Sequence, residues 1–332
     1  MKRKITIEDI AKKSGVTTAT VSLVINNHPR IPDTTKEKIK KIMQDLNYKP
    51  NTIARALARG KTDLIAIMSI SFSAWYEMAL LKGIEKKLMN TNFSMMQIPT
   101  YGNKTREKEI IKDLILSKKA DGLISFSVIP DKETIELIKE KKFPFVIIGE
   151  KINGICSVYF DDYKGAYMAS EYLIKKGRKN IAIINQKQVK GWTARDVKER
   201  LKGFIAACKE NKIFDYKIIE VENVYFEDGV KSCIEIQKHK KINGVFCAAG
   251  DNVAIGFLKQ AKKLNIKIPD DIALVGYDNI EIAQAVTPEL TTIRQPVFDA
   301  GSQAFLLLKE QFNKKRPENK IFRPEIVIRE SA

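Results

Sequence analysis

Histidine and cysteine are scarce in this 332-residue chain, and their placement excludes most site chemistry. The four cysteines, Cys156, Cys208, Cys233 and Cys247, form no CxxC pair, and the two histidines are His28 and His239. Zinc sites and disulfide frameworks need tighter spacing, so neither a metal nor a disulfide scaffold is expected. No GxGxxG occurs, and "RGKT" at 59–62 has Arg55 where a phosphate loop requires glycine. Without a GxSxG elbow, and with two histidines to act as bases, nucleophilic catalysis is poorly served. The carboxylates of "FDD" and "GYDN" read as turn residues or ligand acceptors rather than catalysts. The chain is therefore expected not to be an enzyme and to need no cofactor. No apolar run reaches 18 residues, and the basic start "MKRKITIEDIAKK" lacks an apolar h-region. The expectation is a cytoplasmic protein with no membrane contact.

What is present is apolar content, at 44%, with 30% charged residues. That balance suits a folded chain long enough for two or three domains. Positive charge is uneven: residues 1–61 hold 14 Lys and Arg against 5 Asp and Glu, half of the net charge of +18 in under a fifth of the chain. Such concentration suits an anionic polymer as partner of the N-terminal part, whereas later runs such as "IKKGRKN" read as a lysine-rich background.

Three helices are predicted between Ile7 and Leu46. Thr6 and Asp9 offer a capping box and Gly15 a stop. The second helix starts at Thr17 or Thr18 and ends near Asn26 and Asn27. The third starts at "PDTT" and carries Ile39, Ile42, Met43 and Leu46 on one face. Helix, glycine turn, helix and a bracing helix describe a helix-turn-helix domain over 1–48. The segment 49–61, with "NTIARALARGKT", reads as a linker or a helix formed on a partner. From 62 to 332, apolar runs such as "DLIAIMSI", "FPFVIIG" and "IALVGYD" alternate with helical periods, which predicts an α/β doubly wound parallel sheet. "KKADGLIS" at 118–125 is echoed by "KKINGVFC" at 240–247. Two similar lobes follow, with a ligand between them at the strand C-terminal ends.

The stretches "ITIEDIAKKSGVTTATVSLVINN" and "TTKEKIKKIMQDLNYKPNTIARAL", followed by "KGIE", "DGLI", "RLKGFIAA", "IPDDIALVGYDN" and "TPELTTIRQP", resemble the LacI (lactose and purine repressor) family. The resemblance runs from about residue 5 to "RPEIVIRES". It implies a homodimeric transcription regulator with a periplasmic-binding-protein-like core. It places lobe one at about 62–160 and 292–321, and lobe two at about 161–291 and 322–332.

On the second helix, Val21, Val24 and Ile25 share one face and Thr18, Ala19, Ser22 and Leu23 the other. The resemblance assigns base reading to the outward face. Relatives commonly carry arginine where Leu23 stands; arginine takes guanine bidentately, while leucine can only meet a thymine methyl. Phosphate contacts fall to Thr6, Thr17, Arg30, Thr35, Tyr48 and Asn51, with basic side chains around them. Ala54 and Leu57 would enter the minor groove from a hinge helix, Leu57 as the wedge. Two-fold symmetry implies a pseudo-palindromic double-stranded operator.

Effector positions carry over to Ser71, Tyr76, Arg200, Asp251 and Asp278, with Trp75 and Trp192 as further aromatic surface. An arginine and carboxylates around an aromatic face suit a hydroxyl-rich small molecule such as a sugar. Relatives often have Asn where Gly250 stands, Pro where Trp75 stands, and Asp-Arg where Gly149-Glu150 stands. The expected function is repression of carbohydrate-utilisation genes under a sugar effector. Alternatives are a catabolite-control regulator responding to a phosphorylated carrier protein, a purine-responsive repressor, and a sugar-binding protein that does not act on DNA.

Overall fold

Thr6 opens the first helix with a capping box: its backbone N–H donates to Asp9 Oδ2 at 3.0 Å. The computed structural model describes residues 5–48, 60–187 and 195–332, and the chain divides into two units after Asp63. In the first unit, α1 (Ile7–Ser14) ends at Gly15, whose φ of +73° permits the left-handed turn. Next, α2 (Thr18–Ile25) is capped by Thr17, which accepts from the Thr20 N–H at 3.2 Å. The longer α3 (Asp33–Asp45) braces both. Their apolar faces close one small core around Ile10, Ala11, Val21, Val24 and Ile39. The expected hinge residues Asn51, Ala54 and Leu57, together with Trp192, lie outside the described residues.

The second unit is two sheets built alike. In the first lobe, β1 (Leu64–Ser69), β2 (Ser94–Pro99), β3 (Gly122–Phe126), β4 (Phe145–Ile148) and β5 (Cys156–Phe160) alternate with α4 (Trp75–Leu88), α5 (Lys104–Leu116) and α6 (Lys132–Glu140). The chain then crosses into α7 (Asp162–Lys175), β6 (Ile181–Gln186), α8 (Arg195–Glu210), β7 (Lys217–Val221), α9 (Phe226–Gln237), β8 (Gly244–Cys247), α10 (Asp251–Lys263), β9 (Ala273–Asp278) and β10 (Thr291–Arg294). It returns through α11 (Val297–Phe312) and β11 (Lys320–Phe322), and ends on β12 (Glu325–Val327) in the second sheet.

Strand orders are β11-β5-β4-β3-β1-β2 and β12-β10-β9-β8-β6-β7, so corresponding strands occupy corresponding places. All pairings are parallel except β10 with β12. The echoed segments at 118–125 and 240–247 lead into β3 and β8, the fourth strand of each sheet. Both faces of the central strands are covered, which is why β3, β4 and β8 are buried throughout and read as unbroken apolar runs.

One boundary differs from the sequence expectation. The return to lobe one, expected from residue 292, comes only after Arg294, because Thr291–Arg294 pairs in parallel with β9 as a central strand of lobe two. Pro296 then starts α11, which packs on α4.

Helix pairs in both lobes approach closely at glycines. A Cβ on Gly229 would lie 1.9 Å from the Val253 carbonyl oxygen, and one on Gly256 would lie 2.0 Å from that of Phe226. Gly229→Ala should therefore force α9 and α10 apart and destabilise lobe two by ~1–3 kcal/mol. A lowered melting temperature measured by calorimetry checks this, and an unchanged transition would refute the close approach.

Candidate DNA-reading helix and effector cleft

In the first unit, burial separates the two faces of α2 as the spacing requires. Val21 and Val24 are buried and Ile25 packs at the core edge, whereas Thr18, Ala19 and Leu23 are exposed and Ser22 half-buried. Leu23 is the one exposed large apolar side chain among the described residues before Gly60. Among the phosphate candidates, Thr6 and Arg30 are exposed, Thr35 and Tyr48 are half-buried, and the Thr17 hydroxyl is engaged in capping α2.

In the second unit, groups at the C-terminal strand ends of the two lobes come into contact. Trp75 and Tyr76 open α4 beneath β1; Trp75 packs against the apolar cores of both lobes, and Tyr76 meets Phe160 edge-on with centroids 6.4 Å apart. Ser71 is half-buried, its hydroxyl 3.1 Å from that of Ser73. From lobe two, Arg200 on α8 lies under the strand ends. Its Nε donates to Asp162 Oδ1 at 3.0 Å, its Nη1 donates to the Ala248 carbonyl at 2.8 Å, and its guanidinium sits 3.9 Å from the Tyr277 ring centroid. Tyr277 also donates to Asp162 Oδ1, at 3.3 Å. Asp278 ends β9 with φ at +112°, a conformation L residues rarely adopt, and accepts from Gln295 Nε2 at 3.1 Å.

Asp251 is a correction. Expected at the effector, it is fully buried and its carboxylate is occupied within lobe two: Thr292 Oγ1 donates to one oxygen at 2.6 Å and the Ile280 N–H to the other at 2.9 Å. In the first turn of α10 the side chain folds inward and clasps β10 and the segment after β9. Gly250 before it has φ of +110°, and a Cβ there would lie 2.9 Å from Asp278 Oδ2, so any other residue in that place would be strained.

Three groups escaped the sequence reading of the site. Asp162, from "FDD", is the buried partner of Arg200. Glu150, noted only as a departure, accepts from the Arg195 N–H at 3.1 Å and so joins β4 of lobe one to α8 of lobe two. Arg195 adds a second link by donating to the Phe160 carbonyl at 3.2 Å. The available signal was the spacing of Arg195, Asp196 and Arg200 along one helix, where i and i+4 share a face.

Burial dominates the electrostatics. It pushes the Glu150 carboxyl up to about 7, with the Arg195 N–H opposing and Asp196 adding to the rise. Burial also pushes Asp162 and Asp278 up to about 6 each, against the pull of Arg200. Asp251 is raised well above the ordinary range by burial and by Asp278.

A helix-turn-helix unit ahead of a duplicated α/β core, with polar and aromatic groups converging between the lobes, defines the class of ligand-sensing transcription regulators. Residues 6–51 match the family described as bacterial regulatory proteins, lacI family, and residues 170–332 match the periplasmic binding protein-like domain. The HTH-type transcriptional repressor PurR of Vibrio atlanticus is 30% identical over 334 residues, 98% of each chain. Catabolite control protein A of Staphylococcus epidermidis is 30% identical over 327 residues, 98% of this chain and 96% of its own. A crystal structure of the lac repressor dimer bound to operator and the anti-inducer ONPF has a TM-score of 0.86 at 22% identity, covering 99% of both chains. The chain belongs to the LacI family of DNA-binding transcriptional repressors.

The raised carboxyls give stability a definite pH slope. A carboxyl whose pKa rises on folding favours the folded state below its unfolded value, and that contribution is lost as pH rises through the folded one. For Glu150 the window runs from its ordinary value of 4.5 to about 7. Glu150→Gln should flatten the fall in melting temperature across pH 5–7.5, and be more stable than the parent at pH 7.5. Parallel curves for the two proteins would contradict the assignment.

Proposed function

We propose that this repressor controls carbohydrate-utilisation genes and senses a sugar in the cleft between its lobes. The reading is supported by Trp75, which packs against the apolar cores of both lobes with Tyr76 next to it, and by Asp278 at the end of β9, hydrogen-bonded to Gln295. An apolar ring face covers the C–H surface of a pyranose, while carboxylate and amide groups take hydroxyls that both donate and accept. Two relatives of equal identity carry names of different regulators, PurR and catabolite control protein A, so overall similarity does not select the effector and the chemistry of the cleft must. Asp251 is withdrawn from the contact set; Ser71, Tyr76 and Asp278 remain, with Arg200 holding the floor beneath them.

The chain is proposed to act as a homodimer on a pseudo-palindromic operator. Thr18, Ala19, Ser22 and Leu23 would read bases, and Thr6, Thr17, Arg30, Thr35, Tyr48 and Asn51 would hold phosphates. Ala54 and Leu57 would enter the minor groove from 49–61. A bound ligand changes the lobe arrangement only through its differential contacts with the two arrangements, and that change would reach DNA through the hinge.

Two measurements test this. Calorimetric titration of the full chain with monosaccharides and with purine bases should give saturable binding for a sugar, and that sugar should alter operator affinity; binding of purine bases alone would overturn the reading. Selection of sites from a random duplex library should return thymine, not guanine, opposite Leu23. Leu23→Arg should move that position to guanine by ~1–3 kcal/mol, and guanine with the parent protein would defeat the assignment.

A further inference from the structure

Arg195 opens α8 of lobe two, yet it reaches into lobe one. Its backbone N–H donates to Glu150 Oε1 at 3.1 Å, which sets a carboxylate at the positive end of the helix. Its Nη1 donates to the Phe160 carbonyl at 3.2 Å, and its guanidinium lies 5.0 Å from the Tyr159 ring centroid. Tyr159 and Phe160 end β5, the strand from which the chain first crosses into lobe two. Asp162 Oδ2, on the far side of that crossing, stands 3.7 Å from Nη1 of the same guanidinium.

Arg200, five positions along the same helix, is bound differently. Its partners Asp162, Asp196, Ala248 and Tyr277 all belong to lobe two. Its guanidinium consolidates that lobe, whereas the guanidinium of Arg195 ties lobe two to its neighbour. A second tie is apolar: Trp75 of lobe one packs against the buried cores of both lobes.

We infer that Arg195 is a positioning residue of the regulator: its side chain latches lobe two to lobe one and biases the lobe equilibrium through which ligand and operator communicate. The latch uses protein atoms alone, so it acts whichever ligand the site takes and does not depend on the sugar reading. A hydrogen bond from a charged donor, added to a ring contact, shifts a two-state equilibrium by ~10-fold at a side chain 26% exposed. A ligand that favours the arrangement described here gains that factor, and one that favours another arrangement must overcome it.

The chain has two tryptophans, so Trp192→Phe leaves Trp75 as a single fluorescent reporter of lobe contact. In that background, Arg195→Ala in the full chain should raise the acrylamide quenching constant of Trp75 at least ~2-fold, with circular dichroism unchanged. It should also change affinity for the selected operator duplex at least ~3-fold. Tyr159→Leu should act in the same direction, and adding it to Arg195→Ala should raise quenching no further. It carries the test if the alanine variant does not fold. Lys202→Ala, on the same helix and paired with Glu199, is the control and should match the parent. Unchanged quenching overturns the inference, as does an equal change in the Lys202 variant. Full additivity of the Arg195 and Tyr159 changes overturns it too, since ring and guanidinium would then act apart. A change in quenching that leaves operator affinity untouched has the same effect, because the latch would not bear on DNA. None of these outcomes touches the sugar reading, which titration with sugars decides.

Discussion

The buried charge of Asp162 sets the terms for the rest of the core. It is the first residue of α7, immediately after the chain leaves β5 of lobe one, and it is 2% exposed. A carboxylate so placed is costly unless compensated, and removing one partner of a buried pair typically costs ~3–5 kcal/mol. Arg200 on α8 and Tyr277 on β9 supply that compensation, and Arg195 approaches from the same helix. One crossing strand end, two helices and a central strand are thereby held in a single arrangement. The same group lies close to where the lobes meet, so the requirement that stabilises lobe two also fixes the surroundings of the proposed effector site.

Duplication explains where that cleft lies. Each sheet has the same strand order, and the chain passes between the lobes after β5, after β10 and after β11. All three passages leave from C-terminal strand ends or the edge beside them, where parallel sheets also collect their helix N-termini and polar loops. Side chains placed there can bridge lobes at little backbone cost. Trp75 does so through apolar contact and Glu150 with Arg195 through hydrogen bonding.

Periodicity made most of the architecture legible. The capping of α1 by Thr6 and Asp9, the stop at Gly15, the inward turn of Val21 and Val24, and the alternation of buried strands with amphipathic helices follow from local rules that act within a few residues. The placement of 291–294 did not follow, because "LTTIR" between two loops has no local mark of which sheet it joins. Pairing with β9 is what assigns it to lobe two. Tyr76, Arg200 and Asp278 are expected at the effector from motif resemblance alone. Asp251 was misplaced for the same reason, since its motif position does not say whether its carboxylate faces a ligand or folds back onto Thr292 and Ile280.

The sequence by itself determined the order of elements, the charge concentrated ahead of residue 62, and the two-lobed plan, because hydrophobic period, capping residues and composition are properties of neighbours along the chain. Only the tertiary structure decided which polar residues share a cleft. Glu150, Asp162, Arg195 and Arg200 are separated by up to 50 positions yet touch through hydrogen bonds of 3.0–3.1 Å or ion pairs. Burial in the folded protein raises their carboxyl pKa values. Desolvation is a property of the folded surroundings, and no local pattern of residues encodes it.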